Sequence, residues 1–503
     1  MTVPWDRETF VYRTTQLTPP PLLPAPGALP AAGVARRAAQ VLHRNWTGAS
    51  TVPSRALYPH QWSWDSAFIA IGLRHVAPRR AQLELETLLR AQWSDGRVPH
   101  IVFNPAVPPA AYFPGPGFWR STTAGRAAGA PRTVETSGLV QPPVHALAVW
   151  LTHCADPELS RSRSFLSRAY PKLAAWHRYL LGRRDAGGGG LAAVVHPWEQ
   201  GMDNSPCWDV PLSRVTPAPE GSFRRADLDH GAPDDRPTDL DYGRYVRLAA
   251  DYRDRHYADD RPVFEAFAVE DPAFNALLIA SEHALARIAA ELGLGGDARD
   301  ERAERLTAAL VERLWDPERA QFLCRDLGTD TLVPERGVTG LLPLVLPALP
   351  APVVAGLLRT ARGPCFGLGG AARLLPSYDL TGAAFDPHRY WRGPAWFNVN
   401  WLVERGLRVH GEHAEARALR AALVTTADAS DFAEYVDPRT GRACGARGFS
   451  WTAALALDLV RTGTAPESAP ESADRGASDV PGSDERTSDE TDDDGAKEEA
   501  DDE

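Results

Sequence analysis

Apolar and alanine residues return at three- and four-residue spacing in twelve separate stretches of this chain, while runs of alternating β-branched residues are nearly absent. The stretches are 31–46, 65–73, 80–93, 143–154, 164–181, 241–254, 272–292, 298–314, 353–362, 396–409, 414–427 and 451–461. A chain patterned this way buries its apolar stripes helix against helix, so the fold class is all-α. Segments 192–196 and 321–333 are the two places where a small hairpin fits. No fixed period repeats, which argues against a solenoid. The most apolar run, 340–358, is interrupted by Pro343, Pro347, Pro350 and Pro352, and reads as a helix-loop-helix junction and not as a membrane span.

Two connections, 94–141 and 182–240, are too long to be simple linkers, and loops of that length usually carry function. Residues 1–30 form a proline-rich lead-in, 31–461 the helical body, and 462–503 a tail of Ser, Asp, Glu, Gly and Pro expected to be disordered and solubilising. Sixteen Asp and Glu against three basic residues in 465–503 account for the whole net charge of −11, so the body is close to neutral. A neutral body without a continuous basic face predicts no nucleic-acid partner. The polar first twenty residues predict no export signal, and five cysteines without C-x-x-C spacing predict reduced thiols, so a cytoplasmic, membrane-free protein is expected. A homo-oligomer is compatible with the sequence.

The chemistry is narrowed by what the chain lacks. Only two lysines occur, Lys172 and Lys497, with no G-x-x-x-x-G-K-[ST] loop, no H-E-x-x-H and no G-x-S-x-G, so neither a metal nor another cofactor is expected. Tryptophan is abundant instead, with 15 in the chain, and several lie beside polar residues, as in Gln61-Trp62-Ser63-Trp64-Asp65 and Tyr390-Trp391-Arg392-Gly393-Pro394. Flat rings with polar tips suit the C–H faces of sugars, which makes a carbohydrate pocket the preferred reading.

Glycosidic bonds are cleaved between two carboxyl groups, and three carboxylates stand out. Asp203, in Trp198-Glu199-Gln200-Gly201-Met202-Asp203-Asn204-Ser205-Pro206, is either an Asx-turn or a half-desolvated acid with a raised pKa. Glu434 precedes a sharp turn leading to Phe449-Ser450-Trp451; taken alone it reads as a surface glutamate. Asp65 opens an apolar helix, either complementing its dipole or accepting from sugar hydroxyls.

The motifs Tyr58-Pro59-His60-Gln61-Trp62-Ser63-Trp64-Asp65, Gly201-Met202-Asp203-Asn204-Ser205-Pro206, Tyr390-Trp391-Arg392-Gly393-Pro394, and Phe432-Ala433-Glu434-Tyr435 with Ser450-Trp451-Thr452-Ala453-Ala454 together resemble the glucosylglycerate and mannosylglycerate hydrolases of glycoside hydrolase family 63. The resemblance runs in order from about residue 31 to 461. It implies an (α/α)6 barrel whose long loops form the rim of the active site. It also implies an inverting α-glycosidase that hydrolyses 2-O-glucosyl- or mannosyl-glycerate, a compatible solute, with carboxyls roughly 6.5–9.5 Å apart. Asp203 then corresponds to the general acid and Glu434 to the general base. Tyr58, Trp62, Ser63, Trp64, Asp65, Gln141 and Gly201 correspond to sugar contacts, and Tyr390 and Trp391 to aromatic walls. Tyr112 corresponds to a loop tyrosine that closes over the substrate, and Arg236 with Tyr242 to the glycerate carboxylate site, where a guanidinium fork suits the anion.

Two departures concern the aglycone. Phe449 stands where the family often has a glutamine, and Cys207 where it commonly has an arginine, so polar groups are expected to be missing near the glycerate end. An oligosaccharide α-glucosidase or trehalase-like hydrolase on the same barrel, and a non-catalytic sugar-sensing barrel, are the alternatives. The tail is expected to be dispensable for turnover.

Overall fold

The computed structural model describes residues 31–229 and 233–463. Twelve helical elements among these residues alternate in sequence between an outer and an inner ring, which is the (α/α)6 barrel. The inner ring is Ser63–Leu73, His145–Ala155, Pro272–Glu291, Val338–Val345, Phe397–Val409 and Ser450–Thr462, each packed on the next and the last closing on the first. The outer ring is Ala31–Arg44, Pro78–Arg90, Phe165–Arg183, Asp297–Leu314, Ala351–Arg362 and His413–Ala429, leaning on the inner helices.

Composition follows position. Every residue of Ser63–Leu73 is buried, because an inner helix is covered on all sides. In Pro78–Arg90 only Ala81, Gln82, Glu84, Leu85, Leu88 and Leu89 are buried, the i, i+3, i+4, i+7 stripe of an outer helix.

Eleven of the twelve periodic stretches are barrel helices. The twelfth, Asp239–Asp254, is a helix of the long 182–240 connection's far end and lies outside both rings. Its place in the inner ring is taken by Val338–Val345, a 3-10 helix inside the stretch expected to be a junction. Three residues per turn and Pro343 within it erase the α-helical period, although Val338 to Leu344 are all buried. The expected hairpin at 321–333 forms between Arg325–Asp326 and Thr331–Leu332. At 192–196 there is a strand, Ala193–Val194, but it pairs with Val269–Glu270. The last helix runs to Thr462, one residue past the expected boundary. The lead-in, the polar first twenty residues and the acidic tail from residue 464 lie outside the described residues. Among those described, no helix is long and apolar enough to cross a membrane.

A buried charge network braces the 182–240 connection. Arg184 donates to both oxygens of Glu199, at 2.6 and 2.8 Å, with both side chains fully buried. Glu199 in turn accepts from the backbone N–H of Val195 at 2.8 Å and Val140 at 3.3 Å, tying together the loops that carry Gln141 and Asp203. Removing one partner leaves a buried charge uncompensated, so Arg184→Ala is expected to cost about 3–5 kcal/mol. Chemical unfolding of the variant checks this; a loss below about 1 kcal/mol, the scale of an exposed pair, would mean the pair does not brace the loops.

Candidate active site

The loops that enter the N-terminal ends of the inner helices converge on one mouth of the barrel. Short strands set their register. Gln61–Trp62 pairs with Ile101–Val102, which brings His100 beside Trp62. Tyr435–Val436 pairs with both Ala395–Trp396 and Ala443–Cys444, which sets Glu434 next to the Tyr390–Trp396 segment.

The mouth holds a cavity, with about 510 Å³ of space free of protein atoms when its opening to solvent is included. Its walls include Tyr58, Trp62, Trp64, Asp65, Tyr112, Gln141, Gly201, Asp203, Tyr390, Trp391 and Glu434, all expected from sequence, together with His100, Trp198, Trp396, Phe449 and Trp451. An adjoining cavity is lined by Arg236, Tyr242 and Asp227, and shares Tyr58, Tyr112, Trp198, Asp203 and Tyr390 with the first. Asp203 therefore stands at the boundary between two compartments.

Glu434 is held by two donors. Tyr58 Oη donates to its Oε1 at 2.9 Å and the backbone N–H of Ala446 to its Oε2 at 3.0 Å. Gly445 lies at φ 64°, and a Cβ there would fall 2.5 Å from Glu434 Oε2, so only glycine lets the hairpin close over the carboxylate. Arg236 Nη1 donates to Tyr58 Oη at 3.0 Å, and its guanidinium carbon lies 4.7 Å over the Tyr390 ring. Since Tyr58 gives its single hydrogen to Glu434, Tyr390 is the donor in the 3.2 Å contact between the two hydroxyls. Burial raises the Glu434 pKa, while Arg236, the Ala446 N–H and Tyr58 oppose the rise.

Asp203 is anchored through its backbone: Tyr245 Oη donates to the Asp203 carbonyl at 2.5 Å. The residue lines both cavities. Burial pushes its carboxyl pKa up to about 7; Arg236 pulls it down, and Asp227 and Glu434 push it further up. It is thus largely protonated at mildly acidic pH, whereas a solvated aspartate would be ionised. Burial also raises Asp65 well above the usual carboxylate range, with Glu434 and Glu84 adding to it.

The aromatic walls are rigid. Trp391 stacks on Trp396 at 4.0 Å between ring centres and 3° between planes, and Trp396 on Tyr435 at 4.6 Å. The indole N–H groups of Trp391 and Trp451 are buried without an acceptor among the described residues. Gln141 Oε1 accepts from the Trp64 N–H at 3.2 Å. Gly201, at φ 80°, leaves room for Trp64, whose Cζ2 would lie 2.7 Å from an added Cβ. Tyr112 packs edge-on against Trp62 at 5.2 Å.

Some residues sit differently from expectation. Ser63 lines neither cavity; it is fully buried, with its Oγ 3.0 Å from His145 Nε2 and its N–H donating to the His100 carbonyl. It fixes the helix start behind the wall. Tyr242 does line the second cavity, but its hydroxyl donates to the Phe113 carbonyl at 3.1 Å, so it is not a free partner for Arg236. Cys207 is outside both cavities, buried with its Sγ 3.9 Å from the Glu335 carbonyl, so its replacement of an arginine does not alter the Arg236 compartment directly. Phe449 lines the first cavity, its ring 5.9 Å from that of Tyr58.

Sequence reasoning missed His100 and Asp227. His100 is brought in by strand pairing across some forty residues, for which no local signal exists. Asp227 follows Arg224 and Arg225 in a turn that reads as charged surface. Among the described residues, no group of three or more His, Cys, Asp or Glu is arranged to hold a metal ion.

A family model described as the mannosylglycerate hydrolase MGH1-like glycoside hydrolase domain matches residues 58–452. The chain is 41% identical over 431 residues to a mannosylglycerate hydrolase of Rubrobacter radiotolerans, spanning 85% of this chain and 96% of that one. It is 38% identical over 440 residues to a glucosylglycerate hydrolase of Mycolicibacterium hassiacum, spanning 84% and 97%. The crystal structure of a GH63 mannosylglycerate hydrolase from Thermus thermophilus, in complex with Tris and D-glycerate, is similar with a TM-score of 0.78 and 40% identity, covering 85% of this chain and all of that one.

Proposed function

From the premise that the chain belongs to the MGH1-like glycoside hydrolases, and so is a glycoside hydrolase, we propose that it cleaves 2-O-glucosyl- or 2-O-mannosyl-glycerate with inversion. The sugar occupies the aromatic cavity and the glycerate the adjoining one. The observation that carries this reading is Arg236. It is a buried arginine that opens on the second cavity, and no carboxylate lies within ion-pairing distance of it among the described residues. Glu434 acts on it only across the Tyr58 hydroxyl, so a carboxylate-bearing aglycone supplies the direct ion pair that this buried guanidinium lacks.

The bond to be broken then lies between the compartments, where Asp203 sits. Asp203 gives its proton to the glycosidic oxygen as the bond from that oxygen to the anomeric carbon breaks. Glu434 takes a proton from a water attacking the opposite face of that carbon. Its two fixed donors leave lone pairs for that water and hold the carboxylate in one orientation. Asp65 and the unpartnered indole N–H groups of Trp391 and Trp451 are suited to sugar hydroxyls. We take the enzyme to work in the cytoplasm, which the scattered cysteines support.

The test is turnover of glucosylglycerate, mannosylglycerate, trehalose, kojibiose and maltose, with the first-formed anomer followed by NMR. Glycosylglycerate turnover giving the β-anomer first is expected. The α-anomer first would contradict inversion, and turnover confined to trehalose or kojibiose would contradict the glycerate assignment.

A further inference from the structure

Resting on that assignment, we infer that Asp227 selects the aglycone by accepting a hydrogen bond from the 3-hydroxyl of glycerate while Arg236 holds the carboxylate. Asp227 lies in the 3-10 turn Ala226–Asp229 and faces the second cavity together with Asp203, Arg236 and Tyr242. Its carboxylate is held in place from behind: Arg225 Nε donates to Oδ1 at 3.2 Å and Arg225 Nη2 to Oδ2 at 2.6 Å. Arg225 is itself fixed by the Pro237 carbonyl at 2.7 Å, by Asp239 at 2.9 Å and by the Tyr242 ring, 4.4 Å below its guanidinium carbon.

Two consequences follow from this arrangement. First, a carboxylate has about four acceptor positions, and Arg225 occupies two, so acceptor capacity remains for the cavity. The tyrosine hydroxyls that line this cavity are neutral and weaker acceptors, and the other carboxyl is reserved. Tyr58 donates to Glu434, Tyr242 donates to Phe113, and Asp203 must keep its proton for the glycosidic oxygen. A buried hydroxyl on the aglycone has Asp227 as its ionised acceptor. Second, the cavity carries a cation, Arg236, and an anion, Asp227. A glycerate lying with its carboxylate toward Arg236 satisfies both, while the reversed pose sets two carboxylates together. Arg225 offsets the charge of Asp227, so an anionic substrate is oriented without being excluded.

The experiment compares kcat/KM for the 2-O-glycosides of glycerate and lactate carrying the same sugar, which differ only in the 3-hydroxyl. Wild type is expected to favour the glycerate compound by ~10–100-fold, since a site built for a hydroxyl penalises its absence. In Asp227→Ala that ratio is expected to fall toward 1. Any effect of the variant on Asp203 is common to both substrates and cancels in the ratio. Asp227→Asn keeps the shape and one acceptor oxygen, and is expected to give an intermediate ratio, which decides the matter if the alanine variant does not fold. A wild-type ratio near 1, or a ratio unchanged in the variants, overturns the role of Asp227 alone. Failure of wild type to turn over either compound overturns the glycerate assignment and this inference with it.

Discussion

Asp203→Asn is expected to lower kcat on a glycosylglycerate by ~10²–10⁴-fold, the usual contribution of a positioned proton donor, with KM little changed. Asparagine fills the same space at the boundary of the two cavities but has no proton to give to the departing oxygen. The loss should depend on the leaving group. A glycosyl fluoride needs little or no protonation to depart, so the variant should hydrolyse it at close to the wild-type rate. Glu434→Gln should lose activity of similar size on both substrates, because the water must be deprotonated whichever group leaves. Equal losses on the fluoride for the two variants would reverse or void the assignment. The pH profile of kcat/KM gives an independent reading. Asp203 must be protonated, so activity falls as pH rises through about 7. Glu434 must be ionised, so activity also falls as pH drops through its raised pKa. The optimum therefore lies on the acid side of neutrality, and the alkaline limb should be missing when Asp203→Asn acts on the fluoride.

The fold and the candidate site were legible in the sequence to different depths. The helical period announced the fold, most sharply in the outer helices that bury one stripe and less so in inner ones such as Ser63–Leu73, which are buried all round. It failed at Val338–Val345, where a proline-containing 3-10 helix takes the place of an α-helix, and at Asp239–Asp254, where the period is present but the helix serves the rim. Glu434 illustrates the limit for the site. As a lone glutamate it reads as surface, and only its resemblance to a known motif marked it. What suits it to act as a base is the Tyr58 hydroxyl 376 positions away and the N–H of Ala446, contacts that exist only after the Tyr435–Val436 strand pairs. Ser63 shows the reverse. It stands among residues that line the cavity, yet helical geometry turns its hydroxyl to His145. Neighbours in a motif do not share a direction on a helix.

Arg236→Ala is expected to separate binding from proton transfer. On a substrate with a carboxylate aglycone, kcat/KM should fall on the order of 10²-fold or more, the value of a lost charge-assisted, two-pronged contact in a buried site. On a neutral aglycone the fall should be several-fold at most, arising through Tyr58, which loses the guanidinium that holds its oxygen. Equal losses on both substrates would show that the arginine is structural and reads no anion. The pH profile should move as well, in a direction the charges dictate. Arg236 lowers the pKa of both Asp203 and Glu434, so its removal raises both, and the two limbs shift together to higher pH. Arg236→Lys keeps the positive charge without the planar fork. Its limbs should stay near those of wild type while KM for the carboxylate substrate remains raised. A lysine variant that restores binding fully would mean that charge alone, without the fork, recognises the aglycone.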